Sequence, residues 1–205
     1  MNLGRCLLPF EQFQEAVSTV PNAITQATAL IMYGLIRGLR PTVVLEIGTF
    51  CGYTACWLSR ALQENGSGHL WIVDNFTFPP GSAEMVYQNL DRCGVADRVT
   101  ILEKNSQEIL WSVDVPTPID FAFIDGDHAY DVCSSDVENC LKGLSPRGMI
   151  CIHDVISTHD VHRLWAEIVA GDITGAQAIE TMRFEESEGL GVIRFRIKPT
   201  PSWQD

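Results

Sequence analysis

The sequence is short of positive charge. Lysine and arginine number 14 against 26 aspartates and glutamates, a formal net charge of -12. No basic cluster is present to displace counterions from phosphates, so nucleic acid is excluded as an expected partner. An anionic membrane surface is disfavoured on the same ground. No apolar run is long enough to span a bilayer, and the start, MNLGRCLLPFEQF, lacks the pattern of a secretory signal. The seven cysteines, Cys6, Cys51, Cys56, Cys93, Cys133, Cys140 and Cys151, match no zinc or thioredoxin spacing. Several lie in apolar runs, where a thiol packs as a small hydrophobe, and this points to a reducing, cytoplasmic setting. No repeat and no low-complexity tract occurs. No nucleophile elbow with a Ser-His-Asp set is found either, so hydrolase chemistry is not expected.

What is present reads as an ordinary globular chain. Its 205 residues are 46 % hydrophobic and 20 % charged, enough for one domain with a real core. We expect residues 1–205 to form that single domain, with a helical segment over 1–40 and an α/β core over 41–198. In AITQATALIMYGLIRGL the apolar residues Ile24, Ala27, Leu30, Ile31, Leu35 and Leu39 recur at helical period. Strands then alternate with helices. TVVLEI, HLWIVD, RVTILEK, IDFAFID and MICIHD are the strands; TACWLSRALQE, SAEMVYQNLDRCG, a short SQEILWSV, VCSSDVENCLKGLS and VHRLWAEIV are the helices. TMRFEE and GVIRFRIK close the chain as a hairpin. Strands apolar on both faces belong in a parallel sheet covered on both sides. The expected fold is therefore a doubly wound, mostly parallel seven-stranded sheet ending in an antiparallel hairpin. Such sheets bind ligands beyond the carboxyl ends of their strands, here after Ile47, Asp74, Lys104, Asp125 and Asp154.

The first of these ends carries Glu46-Ile47-Gly48-Thr49-Phe50-Cys51-Gly52. Its E-x-G-x-x-x-G spacing is neither the dinucleotide fingerprint nor the P-loop, and no phosphate-gripping lysine follows. Glycines let the backbone approach a ligand closely, and Thr49, Tyr53 and Thr54 offer hydroxyls. The acid at Glu46 suits a ligand with a cationic centre rather than a pyrophosphate. Asp74 can accept the hydroxyls of a ribose, which implies an unphosphorylated nucleoside. Asn105 and Ser106 could supply the polar edge that adenine needs, and Phe76 or Phe78 could cover a face. The plainer reading is that the glycines shape a tight connection and the phenylalanines pack.

The second feature is FIDGDHAYD followed by MICIHD. If these strands are neighbours, Asp125 and Asp154 converge at one rim, where two carboxylates repel unless a proton or cation lies between them. A divalent metal would satisfy them, with Asp125 and Asp154 giving oxygen and His153 either backbone oxygen or ring nitrogen. Magnesium suits an oxygen set, whereas a ring nitrogen shifts the choice toward manganese, iron or zinc. His128 could take a proton from a substrate hydroxyl, or could only fix the loop. Asp127 is a spare acid that holds the loop or faces water. Helix capping accounts for the two acids without metal, and for Asp160 with His159 and His162. His69 is assigned no role.

These stretches together resemble a class I S-adenosylmethionine-dependent methyltransferase, from about Ala23 to Ile197. The likeness is closer to the metal-dependent small-molecule O-methyltransferases of the catechol, caffeoyl-CoA, cephalosporin-pathway and macrolide-sugar kind. The resemblance implies a Rossmann-like sheet, S-adenosyl-L-methionine as methyl donor and a divalent metal, Mg2+ or Mn2+. It implies cofactor contacts at Glu46, Gly48, Asp74 and Ser106, and beside these we expect contacts at Thr49, Gly52, Tyr53, Asn105 and Asp125. It implies metal ligands at Asp125, His153 and Asp154, and a general base at His128. His153 departs from the family, which has an acid or another ligand there. Trp111 and Trp165 could wall a pocket but fit better as helix-to-sheet packing. The expected acceptor is a small-molecule hydroxyl, and a homodimer is the general prior. Three alternatives stand beside this reading: a metal-free N- or O-methyltransferase, a nucleotide-dependent oxidoreductase, and a non-catalytic nucleoside-binding protein.

Overall fold

Apolar strands that are buried on both faces need helices on both sides, and the chain supplies them in turn. A computed structural model describes residues 7–109, 112–156, 160–171, 176–186 and 188–197. Two helices lead, α1 (Phe10–Val17) and α2 (Gln26–Leu39). The core then runs β1 (Val43–Ile47), α3 (Tyr53–Asn65), β2 (His69–Asp74), α4 (Ala83–Arg92), β3 (Val99–Glu103), β4 (Ile119–Ile124), α5 (Tyr130–Gly143), β5 (Leu144–His153), α6 (Asp160–Ala170), β6 (Ala176–Phe184) and β7 (Leu190–Ile197). The seven strands form one sheet in the order β3-β2-β1-β4-β5-β7-β6. β1 to β5 pair in parallel, and β7 enters antiparallel to both β5 and β6. The expected doubly wound sheet with its closing hairpin is what the chain forms.

The sheet separates two cores. On one face α1, α2, α3 and α4 bury Phe13, Met32, Ile36, Trp57, Leu58 and Leu90. On the other, α5 and α6 bury Val137, Cys140, Leu164 and Trp165 against β4, β5 and β7. Trp57 is the hub of the first core: fully buried, with the Phe13 ring edge-on at 5.0 Å and 89° and Tyr33 at 6.0 Å. Such edge-to-face contacts add to area burial. Arg60, 3 % exposed, ties α1 down by donating to the Leu8 carbonyl at 2.6 Å and to Glu64 at 2.6 Å, with its guanidinium over the Phe13 ring. No helix of the described residues is long and apolar enough to cross a membrane.

Three boundaries differ from expectation. β5 starts at Leu144 rather than Met149, so Pro146-Arg147-Gly148 lies inside the strand; a break in register opposite Ile119 and Phe121 accommodates it, and both Pro146 and Arg147 face solvent. β6 starts at Ala176, earlier than Thr181. Among its described residues SQEILWSV forms a three-residue turn of tight helix, Ser106–Glu108. Leu110 and Trp111 lie outside the described residues, as does His159. Trp165 packs against β7, where a Cβ on Gly191 would sit 2.3 Å from its ring.

Trp57→Ala should cost about 3–5 kcal/mol by urea denaturation. α1 should become the first segment to lose amide-exchange protection, because its rings lose their shared partner. A cost under about 1 kcal/mol would contradict the placement of Trp57.

Candidate active site at the carboxyl edge

The strand order reverses between β1 and β4, and there the ends of the two strands touch. Gly48 follows β1 with φ +80°, and a Cβ on it would lie 2.2 Å from the Asp125 carbonyl oxygen and 2.6 Å from Gly126 Cα. Only glycine fits both that conformation and that approach. The Asp125 amide donates to the Ile47 carbonyl at 2.8 Å and the Gly48 amide to the Val73 carbonyl at 2.9 Å. The glycine turn and Asp125 are thus built as one piece.

Asp74, at the end of β2, fastens this turn. Its Oδ2 accepts from the amides of Thr49 at 2.8 Å and Phe50 at 3.2 Å, and its Oδ1 accepts from Phe76 at 2.7 Å. Phe50 and Phe76 hold left-handed backbone, φ 53° and 51°, which bulky residues adopt only when their surroundings enforce it. A lone pair on Oδ1 is left for a ribose hydroxyl. Asp74 therefore has a structural task beside the expected one.

The turn opens on a cavity of about 780 Å³, within the range of small-molecule sites. Gly48, Thr49, Tyr53, Asp74, Asn105, Ser106, Asp125, His128, His153 and Asp154 all line it, so ten of the residues expected at the site share one wall. Glu46 and Gly52 stand behind it. Glu46 is fully buried, with Oε2 accepting from the Thr49 hydroxyl at 3.2 Å and Oε1 without a hydrogen-bond partner among the described residues. Burial pushes its carboxyl well above the usual range. Gly52 caps α3 with φ +86°. The segment before α2, with Pro21, Asn22 and Ile24, and Phe50 also line the cavity. Phe50 belongs to the glycine motif, but no motif marks Pro21, Asn22 and Ile24; their place depends on where α1 and α2 pack.

The acids and histidines gather at one end of the cavity. β4 and β5 are parallel neighbours, with Ile124 opposite Ile152, so Asp125 and Asp154 leave adjacent strands. Asp154 has φ 62°, a left-handed conformation that aspartate tolerates. His128 Nε2 lies 2.9 Å from Asp154 Oδ2. His153 Nδ1 lies 3.3 Å from Asp125 Oδ1 and 3.2 Å from Asp154 Oδ2, while its Nε2 is buried without a partner among the described residues. Burial disfavours a charged His153, but the contacts with Asp125 and Asp154 outweigh it and hold the imidazole up to about 10. Burial likewise opposes ionisation of Asp154, yet His128 and His153 hold it far below the usual carboxylate range. Asp125 is pushed up by burial against the pull of His153. His128 is raised chiefly by its bond to Asp154.

The acids and imidazoles offer a donor set for a divalent cation. One ligand atom each from Asp125, His128 and Asp154 falls within 4.8 Å of the others. Two carboxylates and an imidazole are a chemically sound set for such an ion. His128 joins this group, whereas the expected third ligand, His153, turns its Nδ1 between the two acids. Asp127 accepts from the Ala129 amide at 2.8 Å and holds the loop. His69 bonds to the Thr100 hydroxyl at 2.8 Å, away from the cavity.

Comparison with known proteins agrees with this geometry. Residues 45–155 match the family model described as a methyltransferase domain. The catechol O-methyltransferase of Mus musculus is 34 % identical over 138 residues, covering 64 % of this chain and 48 % of that protein. The pig enzyme, from Sus scrofa, is 32 % identical over 127 residues, covering 58 % and 63 %. The chain thus spans about half to three-fifths of the length of these curated relatives. A solved O-methyltransferase from Streptomyces achromogenes, involved in tomaymycin synthesis and held with SAM, superposes with a TM-score of 0.69 at 23 % identity, covering 92 % of this chain and 91 % of that one. That likeness speaks to the fold alone.

Two outcomes follow from the packing behind the cavity. Gly48→Ala should destabilise by more than about 2 kcal/mol in urea, while Gly34→Ala, where a Cβ meets nothing within 4 Å, should be neutral or stabilising. Equal behaviour of the two variants would contradict the close approach of β1 to Asp125. The second concerns Asp136, buried on α5, whose carboxyl burial pushes from 3.8 up to about 6. A raised folded value stabilises fully below the ordinary one and is lost as pH rises through the folded one. Between about pH 4 and pH 6 the native protein should lose on the order of 2 kcal/mol relative to Asp136→Asn. A difference that stays constant across that window would count against it.

Proposed function

This chain belongs to the methyltransferase-domain family, and we propose that it transfers a methyl group from S-adenosyl-L-methionine to a hydroxyl oxygen of a small molecule, with a divalent cation holding the acceptor. One observation carries the reading. The acid and imidazole cluster opens into the same cavity as the glycine turn and Asp74. A donor seated on the turn would therefore bring its sulfonium methyl toward the cluster.

In this reading Gly48 and Thr49 take the methionine part, Asp74 the ribose, and Asn105 with Ser106 the base. Asp125 and Asp154 hold the cation, Mg2+ or Mn2+, and His128 stands beside it as the base. The cation, when bound, lowers the pKa of the acceptor hydroxyl and fixes its position. The S–CH3 bond breaks as the O–CH3 bond forms, and the bonding pair stays on sulfur to give the thioether product. The hydroxyl proton passes to neutral His128, which Asp154 orients at 2.9 Å. Much of the acceleration comes from alignment of oxygen, methyl carbon and sulfur. The catechol O-methyltransferases among the relatives favour an acceptor with adjacent hydroxyls. The six buried free thiols among the described residues support a cytoplasmic setting.

A second reading rests on His153. Its Nδ1 already lies between both carboxylates, so its own positive charge can balance them and the transfer would need no metal.

Methyl transfer to a panel of catechols and sugar diols, with and without chelator, separates the two. Turnover should vanish on metal removal and return with Mg2+ or Mn2+. Full turnover after complete removal would favour the His153 reading; no transfer and no binding of the donor would overturn both. Asp154→Asn should weaken Mn2+ binding about tenfold or more. His128→Gln should lower kcat about 100-fold while leaving donor affinity unchanged.

A further inference from the structure

The glycine turn has a front and a back. Asp74 holds the front, through the amides of Thr49 and Phe50. The back is Cys51-Gly52, behind the cavity wall. Cys51 is fully buried and sits between two residues in left-handed backbone, Phe50 at φ 53° and Gly52 at φ 86°. A buried main-chain carbonyl needs a partner, and that of Cys51 accepts from Asn89 Nδ2 on α4 at 2.8 Å. Asn89 is out of character with its surroundings. α4 buries Val86, Asn89 and Leu90, a face that an apolar side chain would fill without burying an amide. Asn89 Oδ1 accepts from Arg92 Nη2 at 2.8 Å. A guanidinium only donates, so Arg92 fixes the amide with its oxygen outward and its nitrogen toward Cys51. One helical turn earlier, Val86 packs on the same segment: a Cβ on Gly52 would lie 3.0 Å from Val86 Cγ1. At the entrance to α4, a Cβ on Gly81 would lie 2.6 Å from the Phe50 carbonyl oxygen. α4 and its lead-in thus press on Phe50, Cys51 and Gly52 in succession, and at Cys51 the contact is a hydrogen bond of fixed direction.

We propose that Asn89 is a positioning residue for the methyl donor: by holding the Cys51 carbonyl it fixes the back of the turn, and so keeps Thr49 and Tyr53, on either side, in the cavity wall. The inference rests on the proposed S-adenosyl-L-methionine reading and deepens it, naming a residue outside the cavity on which affinity for that ligand depends. Removing the amide leaves the Cys51 carbonyl unmatched in a buried place. The carbonyl regains a partner only if the turn shifts, and the ligand site shifts with it. An asparagine that merely stabilises packing would not act in this way, and the chain contains a matched case. Asn65, at the end of α3, is also 6 % exposed. Its Nδ2 donates to the Ile36 carbonyl at 2.8 Å, and its Oδ1 accepts from Arg37 Nη1 at 2.7 Å. These bonds are of the same kind as those of Asn89, but they join α3 to α2 and reach no residue that lines the cavity.

The test is calorimetric binding of S-adenosyl-L-homocysteine to the unmodified protein, Asn89→Leu and Asn65→Leu, with the urea midpoint of each measured alongside. Leucine fills the space and removes both side-chain bonds, so both variants should unfold at lower urea. Asn89→Leu should bind the ligand at least about tenfold more weakly. Asn65→Leu should stay within about twofold of the unmodified protein, since the two sites are independent. Asn89→Asp is the second variant, should leucine prevent folding. It keeps the size and the contact with Arg92 but sets an oxygen against the Cys51 carbonyl, and it should also bind at least about tenfold more weakly. Unchanged affinity in a folded variant at position 89 overturns the inference, as does equal weakening in Asn65→Leu, and the cofactor reading survives both results. Failure of the unmodified protein to bind S-adenosyl-L-homocysteine overturns the cofactor reading and the inference together.

Discussion

The contact on which everything else turns is the one between Gly48 and the backbone of Asp125. A side chain at position 48 would overlap the Asp125 carbonyl, so glycine alone lets β1 and β4 end side by side at the point where the sheet changes direction. That closeness sets the donor turn and the first acid of the cluster within one rigid unit. Asp74 then locks the turn from the β2 side through three backbone amides. The cavity is therefore shaped by backbone before any side chain contributes chemistry. It follows that the site is pre-organised, which lowers the entropic cost of bringing donor and acceptor into line.

Charge is the second organising constraint. A chain with a formal net charge of -12 collects Asp74, Asp125, Asp127 and Asp154 along a single cavity. Such a wall attracts a sulfonium and a metal ion and repels phosphate. The protein itself already answers part of the problem, since His128 and His153 both lie against Asp154. An imidazole and a divalent cation compete for the same carboxylate oxygens, so the protonation of this cluster and its metal content are linked.

Much of this was legible in the sequence. Short runs apolar on both faces, alternating with stretches of helical period, located the strands and the main helices. Asp125 and Asp154 could be paired in advance, since consecutive strands of a parallel sheet tend to be neighbours. What escaped depends on three-dimensional packing. The left-handed backbone of Phe50 and Phe76 has no signature in residue type. The cavity wall from Pro21 to Ile24 depends on how α1 docks on Trp57. Glu46 and Gly52 belong to the glycine motif but stand behind the wall, Glu46 because alternate residues of a strand face opposite ways and Gly52 because it caps α3. Of the two histidines beside the acids, it is His128 and not the expected His153 that falls with Asp125 and Asp154 in the group of three that could hold a metal ion.

The central claim is that one acidic cluster and one donor cavity are the same site. Relaxation of the 13C-labelled methyl of S-adenosylmethionine by Mn2+, followed by NMR on the intact protein, tests it most directly. The account predicts strong broadening of the methyl signal when Mn2+ is added, abolished in Asp154→Asn. Tight Mn2+ binding that leaves the methyl signal of the bound donor unbroadened would place the metal elsewhere and contradict it.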